Sequence, residues 1–279
     1  MKISIVIPVY NESDSLDACL SAIACQSVRP FEVIVVDNNS TDDTVAVALG
    51  YSFVTVLKEP RQGVVHARNR GFNAARGDII GRIDADTILP ADWMARLAAI
   101  FKDGSVSAVS GAAHYYDFAL SGVADTVDGY LRSRLARKLQ TENFLWGANM
   151  GIRRSAWLEV RQQLCGQGYM HEDFDLAIHL QWAGHQVVYE PGLMAGVSSR
   201  RIDTGWLNYA RYTLRSPQTY AQHRLSSRRH MYPVIIVCWT AYLPGRLIYR
   251  AYNPVTQTFS LSQLLTGTVA RIDPTTNVA

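Results

Sequence analysis

The start of the chain alternates between two hydrophobic periods. Ile3-Ser4-Ile5-Val6-Ile7 is a short, nearly unbroken apolar run, as in a parallel strand covered on both faces. Pro8 is expected to end it. Asn11 to Ser15 supply helix-start chemistry, and Leu16, Leu20, Ile23 and Ala24 then recur at helical spacing. Residues 33–36 predict a second buried strand, followed by Asp37-Asn38-Asn39-Ser40 and a helix from Thr41. A third strand at 54–57 leads through Pro60 and Gly63 into a helix reaching about Ala75. The fourth strand is 79–83, and 93–101 reads as its helix.

Strand–helix alternation at this spacing predicts an α/β fold with a mostly parallel sheet and helices on both faces. In such sheets ligands bind beyond the carboxyl ends of the strands. Three polar clusters fall there: Tyr10-Asn11-Glu12, the acidic stretch 37–42, and Asp84-Ala85-Asp86. One cluster is ordinary loop chemistry; three at equivalent ends describe a site. After residue 105 the pattern is mixed, with a strand at 106–111 and a helix over 117–143 that carries Arg132, Arg134, Arg137 and Lys138 on a polar side. Residues 146–154 predict a glycine-punctuated loop or edge strand, the stretch 171–176 opens a helix running to about Ala183, and 187–189 form a last short strand.

Composition narrows the class. Of 279 residues, 48% are apolar and 18% charged, which is globular rather than disordered. Cys19, Cys25, Cys165 and Cys238 show neither a Cys-x-x-Cys pair nor zinc spacing. This suits a reducing compartment, and with Met1-Lys2 running straight into a strand the expected location is cytoplasmic. The net charge of +3 hides an asymmetry: residues 1–199 hold 17 Lys/Arg against 22 Asp/Glu, whereas 200–250 hold nine Arg and one acid.

Asp84 and Asp86 lie one residue apart at the exit of a buried strand. Two unpaired carboxylates there cost several kcal/mol unless a cation neutralises them. Mg²⁺ or Mn²⁺, which take oxygen ligands and hold substrate phosphates, fit that role. No Walker-type loop and no Gly-x-Gly-x-x-Gly follows the first strand, and no Gly-x-Ser-x-Gly elbow occurs, which disfavours NTPase, dinucleotide and serine-hydrolase chemistry.

The ordered series Ile7-Pro8-Val9-Tyr10-Asn11-Glu12, Val36-Asp37-Asn38-Asn39-Ser40-Thr41-Asp42-Asp43-Thr44, Gly63 through Ala67-Arg68-Asn69-Arg70-Gly71, Asp84-Ala85-Asp86 and His171-Glu172-Asp173 resembles glycosyltransferase family 2 over roughly residues 1–195. The resemblance implies a GT-A fold and an inverting, metal-dependent transfer of one sugar from a UDP- or GDP-sugar to an acceptor hydroxyl. It implies that Pro8, Tyr10, Glu12 and Asp37 frame the nucleoside, with Asn39 and Gly63 nearby, that Asp84 lies on the ribose side, and that Asp86 binds the metal. Arg68 would stand near the nucleotide sugar, and Asp173 would be the general base. Trp146, Asn149 and Glu172 would shape the sugar and acceptor pocket. Structural alternatives stay open: a helix cap for Asp37 and for Glu172-Asp173, a surface charge for Arg68, and a core ring for Trp146.

The processive members' Gln-x-x-Arg-Trp motif is not intact, since the comparable stretch reads Ser198-Ser199-Arg200-Arg201 with Trp206 beyond it. Arg200 or Arg201 remains a candidate diphosphate contact. The chain divides by composition into 1–199, with a donor half to about 105 and an acceptor half after it, and a basic, aromatic-rich helical extension, 200–279. Residues 233–243 are strongly apolar, but Pro244, Gly245 and Arg246 interrupt them, short of a membrane span. Arginine with Trp and Tyr around a short apolar segment suits an anionic membrane surface and a lipid-linked or glycan acceptor, or packing on the core. Nucleic acid has no other support. A sugar nucleotidyltransferase and a non-catalytic scaffold of the same fold are the rival readings.

Overall fold

A computed structural model describes residues 1–165, 170–260 and 264. Its centre is a seven-stranded sheet in the order β3-β2-β1-β4-β6-β5-β7. The strands are β1 (Ile3–Val9), β2 (Glu32–Asp37), β3 (Val54–Lys58), β4 (Ile79–Ile83), β5 (Val106–Tyr115), β6 (Asn149–Arg153) and β7 (Gln186–Val197). The first four are mutually parallel; β6 runs antiparallel between β4 and β5, and β7 returns parallel to β5. The helices are α1 (Ser13–Ala24), α2 (Thr44–Leu49), α3 (Val64–Ala74), α4 (Trp93–Ile100), α5 (Ser121–Leu139), α6 (Arg154–Val160), α7 (Glu172–Trp182), α8 (Trp206–Gln222) and α9 (Tyr232–Ala251).

Both faces of the sheet are buried, which explains the continuous apolar runs. Ile5, Ile7, Val33 and Val35 pack with Leu16, Leu20 and Trp93 from α1 and α4. Val6, Ile34, Val36 and Ile80 pack on the opposite face with Phe72 of α3, Trp157 of α6 and Leu176 of α7. Period-two strand geometry thus sends alternate residues of one run into two cores.

Several sequence expectations need correction. Pro8 does not end β1 but lies within it, opposite Val36 and beyond the last pairing with β4, Val6 with Arg82. The helix expected from Thr41 begins at Thr44, whose N–H donates to Asp42 Oδ1 at 3.0 Å. The glycine-punctuated stretch is no edge: β6 is an interior strand. Gly151 permits this, because a Cβ there would stand 2.6 Å from Leu97 Cδ1. The strands expected at 106–111 and 187–189 extend to 10 and 12 residues. Arg132 is not on the solvated side of α5; it pairs with Asp128 at 2.6 Å and stacks 4.0 Å over the Trp146 ring.

Of the extension expected over 200–279, residues 200–260 pack on the sheet-bearing part of the chain, and the remainder apart from 264 lies outside the described residues. Tyr220 of α8 is fully buried in a cluster with Phe144, Ile178 and Met231. Helix α9 passes through Pro244, held on both sides of it: Tyr242 stacks on Trp206 and Tyr209, and Arg246 and Arg250 bind Asp203 at 2.9 and 2.5 Å. Within Ser226–Ala251 an 18-residue window reaches a mean hydropathy of 1.3, so by length and composition this helix meets the requirement for crossing a membrane, contrary to the interrupted run read from sequence.

Candidate active site

An open cleft lies at the carboxyl ends of β1 and β4. Its walls include Pro8 at the end of β1, Tyr10 and Glu12 after it, Asp84 after β4, Trp146 before β6, and Glu172 and Asp173 at the start of α7. The acidic loops therefore meet, as the parallel topology requires.

Arg82 organises the meeting. It comes from inside β4, is almost fully buried, and donates from Nη1 to Glu172 Oε1 at 2.8 Å and from Nη2 to Asp84 Oδ1 at 3.2 Å. One guanidinium thus ties the β4 loop to α7. Room for it exists because residue 147 is glycine: a Cβ there would lie 1.7 Å from Arg82 Nη1. The Gly147 N–H donates to Asp173 Oδ2 at 2.9 Å, and the Phe174 N–H to Asp173 Oδ1 at 2.9 Å. Asp173 is thereby held with both oxygens oriented by backbone.

The two neighbouring carboxylates are driven apart. Burial and the adjacent Glu172 charge push Asp173 up to about 7, against the opposing pull of Arg82. Burial also works against the Glu172 charge, but Arg82 and Arg68 more than offset it and hold that carboxyl below its ordinary range. His171, which caps α7, is pushed down to about 4 by burial and is neutral near pH 7. Its Nε2 donates to the Tyr212 carbonyl at 3.1 Å.

Not every expected residue reaches the cleft. Asn149 is fully buried behind it, donating to the Ala112 and Leu193 carbonyls at 2.9 and 2.7 Å and accepting from Trp93 Nε1 at 2.9 Å. Its polar atoms hold β5, β7 and α4 together, so the pocket role expected for it is corrected to a structural one. Arg68 is buried too, its Nη1 donating to the Glu172 carbonyl at 2.6 Å; the surface-charge alternative is excluded. Asp37 is buried and accepts from the Ser40 N–H at 3.0 Å, which shapes the β2 loop rather than capping α2. Asn39 is exposed, at φ 66°, and Gly63 precedes α3 at φ 130°; neither lines the cleft.

Asp86 is buried just outside the cleft wall. Arg200 Nε lies 2.9 Å from its Oδ2, while Arg200 Nη2 donates to both Glu12 oxygens at 2.7 and 2.6 Å. Two buried carboxylates from different loops thus converge on one cation. That oxygen-rich chemistry fits a hard divalent ion. Arg201 lines the cleft with its guanidinium 3.7 Å above the Tyr212 ring.

Sequence reasoning missed four cleft residues. Asn38, whose amide binds the Glu59 and Arg61 carbonyls and the Gly63 N–H, was submerged in a polar cluster. Arg82 was hidden in an apolar strand, where a lone arginine is itself the signal. Tyr212 and Arg215 stand three apart on α8 and line the wall facing Asp173, which nothing local announced.

Comparison with known proteins agrees with this geometry. A glycosyltransferase AglE of Haloferax volcanii is 26% identical over 165 residues, covering 57% of this chain and 54% of its own length. An undecaprenyl-phosphate 4-deoxy-4-formamido-L-arabinose transferase of Serratia proteamaculans is 37% identical over 112 residues, covering 37% of this chain and 34% of its own. The chain thus spans about half or less of these relatives. Among solved structures, the mannosyltransferase PcManGT of Pyrobaculum calidifontis, in complex with GDP-Man and Mn²⁺, superposes with a TM-score of 0.63 at 20% identity, covering 95% of this chain and 78% of its own, a likeness of fold. The family described as Glycosyl transferase family 2 matches residues 4–160, more than half of the 279, and the chain therefore belongs to glycosyl transferase family 2.

Proposed function

We propose that this chain is an inverting glycosyltransferase that moves one sugar from a UDP- or GDP-sugar to an acceptor hydroxyl, with Asp173 as the base. The observation that carries this reading is the joint presence of Asp84 and Asp173 on one cleft, linked through Arg82 and Glu172. A carboxylate pushed up to about 7 is matched to proton abstraction at neutral pH.

In this reading Tyr10, Asn38 and Asp84 hold the nucleoside at the β1 and β4 ends of the cleft. The acceptor hydroxyl approaches Asp173, which takes its proton as the oxygen attacks the anomeric carbon from the face opposite the leaving diphosphate. The new glycosidic bond forms, the bond to the diphosphate oxygen breaks, and the anomeric configuration inverts. The two backbone donors on Asp173 keep it aimed throughout, which is orientation supplied before the reaction. Asp86 would hold a divalent ion, Mn²⁺ or Mg²⁺, which when bound would supply positive charge for the departing diphosphate. Arg201 and Arg215 line the same cleft and add cationic charge there.

The acceptor we favour is lipid-phosphate-linked, met at the cytoplasmic face of a membrane. The Serratia relative is named for a transfer involving undecaprenyl phosphate. Helix α9 leaves Ile236, Leu243 and Leu247 more than half exposed, and α5 adds Val123 and Tyr130. Apolar residues beside the Arg228-Arg229 pair are the composition of an interfacial element on anionic lipid. Thermal unfolding against a panel of nucleotide sugars, with and without Mn²⁺, tests the donor side. One nucleotide family should raise Tm in a metal-dependent way; a flat response to every UDP- and GDP-sugar contradicts the assignment.

A further inference from the structure

Four side chains with metal-ligand chemistry meet outside the cleft. Cys165 follows α6, Asp175 and His179 stand one turn apart on α7, and His223 ends α8. Asp175 lies two residues beyond Asp173, so helical geometry turns it away from the cleft, and none of the four lines that cleft. Their ligand atoms all lie within 4.8 Å of one another.

The individual separations are those of a coordination sphere. Asp175 Oδ1 is 3.0 Å from His223 Nε2 and 3.5 Å from His179 Nε2. Cys165 Sγ is 3.5 Å from His223 Nε2 and 3.6 Å from His179 Nε2. Zinc bonds of about 2.0–2.3 Å in a tetrahedron place ligand atoms roughly 3.3–3.8 Å apart.

Surrounding hydrogen bonds orient the ligand atoms toward one another. His223 Nδ1 lies 2.7 Å from the Thr219 carbonyl, which can only accept, so Nδ1 carries the proton. Its Nε2 then faces the Asp175 carboxylate at 3.0 Å, on the inner side of the cluster. Asp175 Oδ1 is buried between the two imidazoles. Its Oδ2 accepts from the Cys165 N–H at 3.1 Å, an outer contact that orients the carboxylate, just as Thr219 orients the imidazole.

We propose that Cys165, Asp175, His179 and His223 bind one structural zinc ion. The thiolate and carboxylate balance its two positive charges, with the Cys165 proton released to solvent on binding. Mixed sulfur and imidazole donors select zinc over the hard ions suited to Asp86. Four protein ligands close the sphere, so the ion takes no part in transfer. It joins the α6–α7 connection, α7 and the end of α8. Glu172 and Asp173 on α7 are thereby fixed against Tyr212 and Arg215 on α8, making the zinc a staple behind the active site.

The test begins with the full chain purified without chelator and its metal measured by plasma mass spectrometry. About one zinc per chain should survive dialysis, and zinc returned to chelator-stripped protein should raise Tm by roughly 5–10 °C. Cobalt loaded in its place should show tetrahedral ligand-field bands and thiolate-to-cobalt charge transfer. Cys165→Ser, at an exposed position, should lose the charge-transfer band, while Asp86→Asn should keep full zinc content. Protein that neither carries nor takes up zinc overturns the proposal. So does a cobalt spectrum that is octahedral or unchanged in Cys165→Ser.

Discussion

Gly147→Ala is the most revealing single change in the cleft. The added methyl would stand 1.7 Å from Arg82 Nη1, 2.2 Å from Cζ and 2.7 Å from Nη2. An exposed arginine would swing aside, but Arg82 is 4% exposed and anchored at 2.8 Å to Glu172 and 3.2 Å to Asp84. Overpacking typically costs about 1–3 kcal/mol, and removing one partner of a buried ion pair about 3–5. The two overlap, because moving Arg82 is what relieves the clash, so the expected loss is about 3–5 kcal/mol. For a chain of this size that lowers Tm by roughly 6–20 °C. Scanning calorimetry measures it, with Gly129→Ala as the control: that helical glycine has nothing within 4 Å of a Cβ and should gain up to about 1 kcal/mol. Adding Gly147→Ala to Arg82→Ala should cost little further, because the methyl then has space and the ion pair is already lost. A Gly147→Ala chain melting within 2 °C (about 1 kcal/mol) of wild type would refute the role given to Arg82.

The raised Asp173 pKa sets a pH profile. With the base ionising at about 7, kcat/KM should fall about tenfold per unit below that pH, and Glu172→Gln, which removes a repelling charge, should move this limb to lower pH; an unmoved limb contradicts the coupling. The sign for stability is opposite, since the folded chain holds the Asp173 proton more tightly than the unfolded one: this group's contribution is full below the ordinary carboxylate range and is lost as pH rises through about 7. Leu243→Asp with Leu247→Asp should cut flotation with anionic vesicles tenfold or more, as two exposed leucines each lose about 1.5 kcal/mol or more of burial; equal flotation would place the membrane surface elsewhere.

The donor half of the fold was legible because its strands are buried on both faces and write themselves as apolar runs. The acidic clusters then followed from one rule, that ligands gather at strand carboxyl ends. What stayed hidden depended on distant partners. The stretch holding β6 reads as loop or edge strand because Gly147, Asn149 and Gly151 look like turn residues. Each is there for close packing: against Arg82, against the Ala112 and Leu193 carbonyls, and against Leu97. Asn149 looked like a pocket residue for the same reason, since a buried amide and a ligand-binding amide are identical in sequence. Pro244 looked like a helix breaker, yet contacts on both sides carry α9 through it. The zinc ligands span residues 165 to 223 and show no motif; only the packing of α8 on α7 assembles them.

The central claim is that Asp173 removes the acceptor's proton. Asp173→Asn, measured for donor binding by calorimetry and for transfer with the natural acceptor, tests it most directly. Transfer should fall by about 10²–10⁴-fold while donor affinity stays within a few-fold. Transfer at the wild-type rate with a neutral amide in place of the carboxylate would contradict the account.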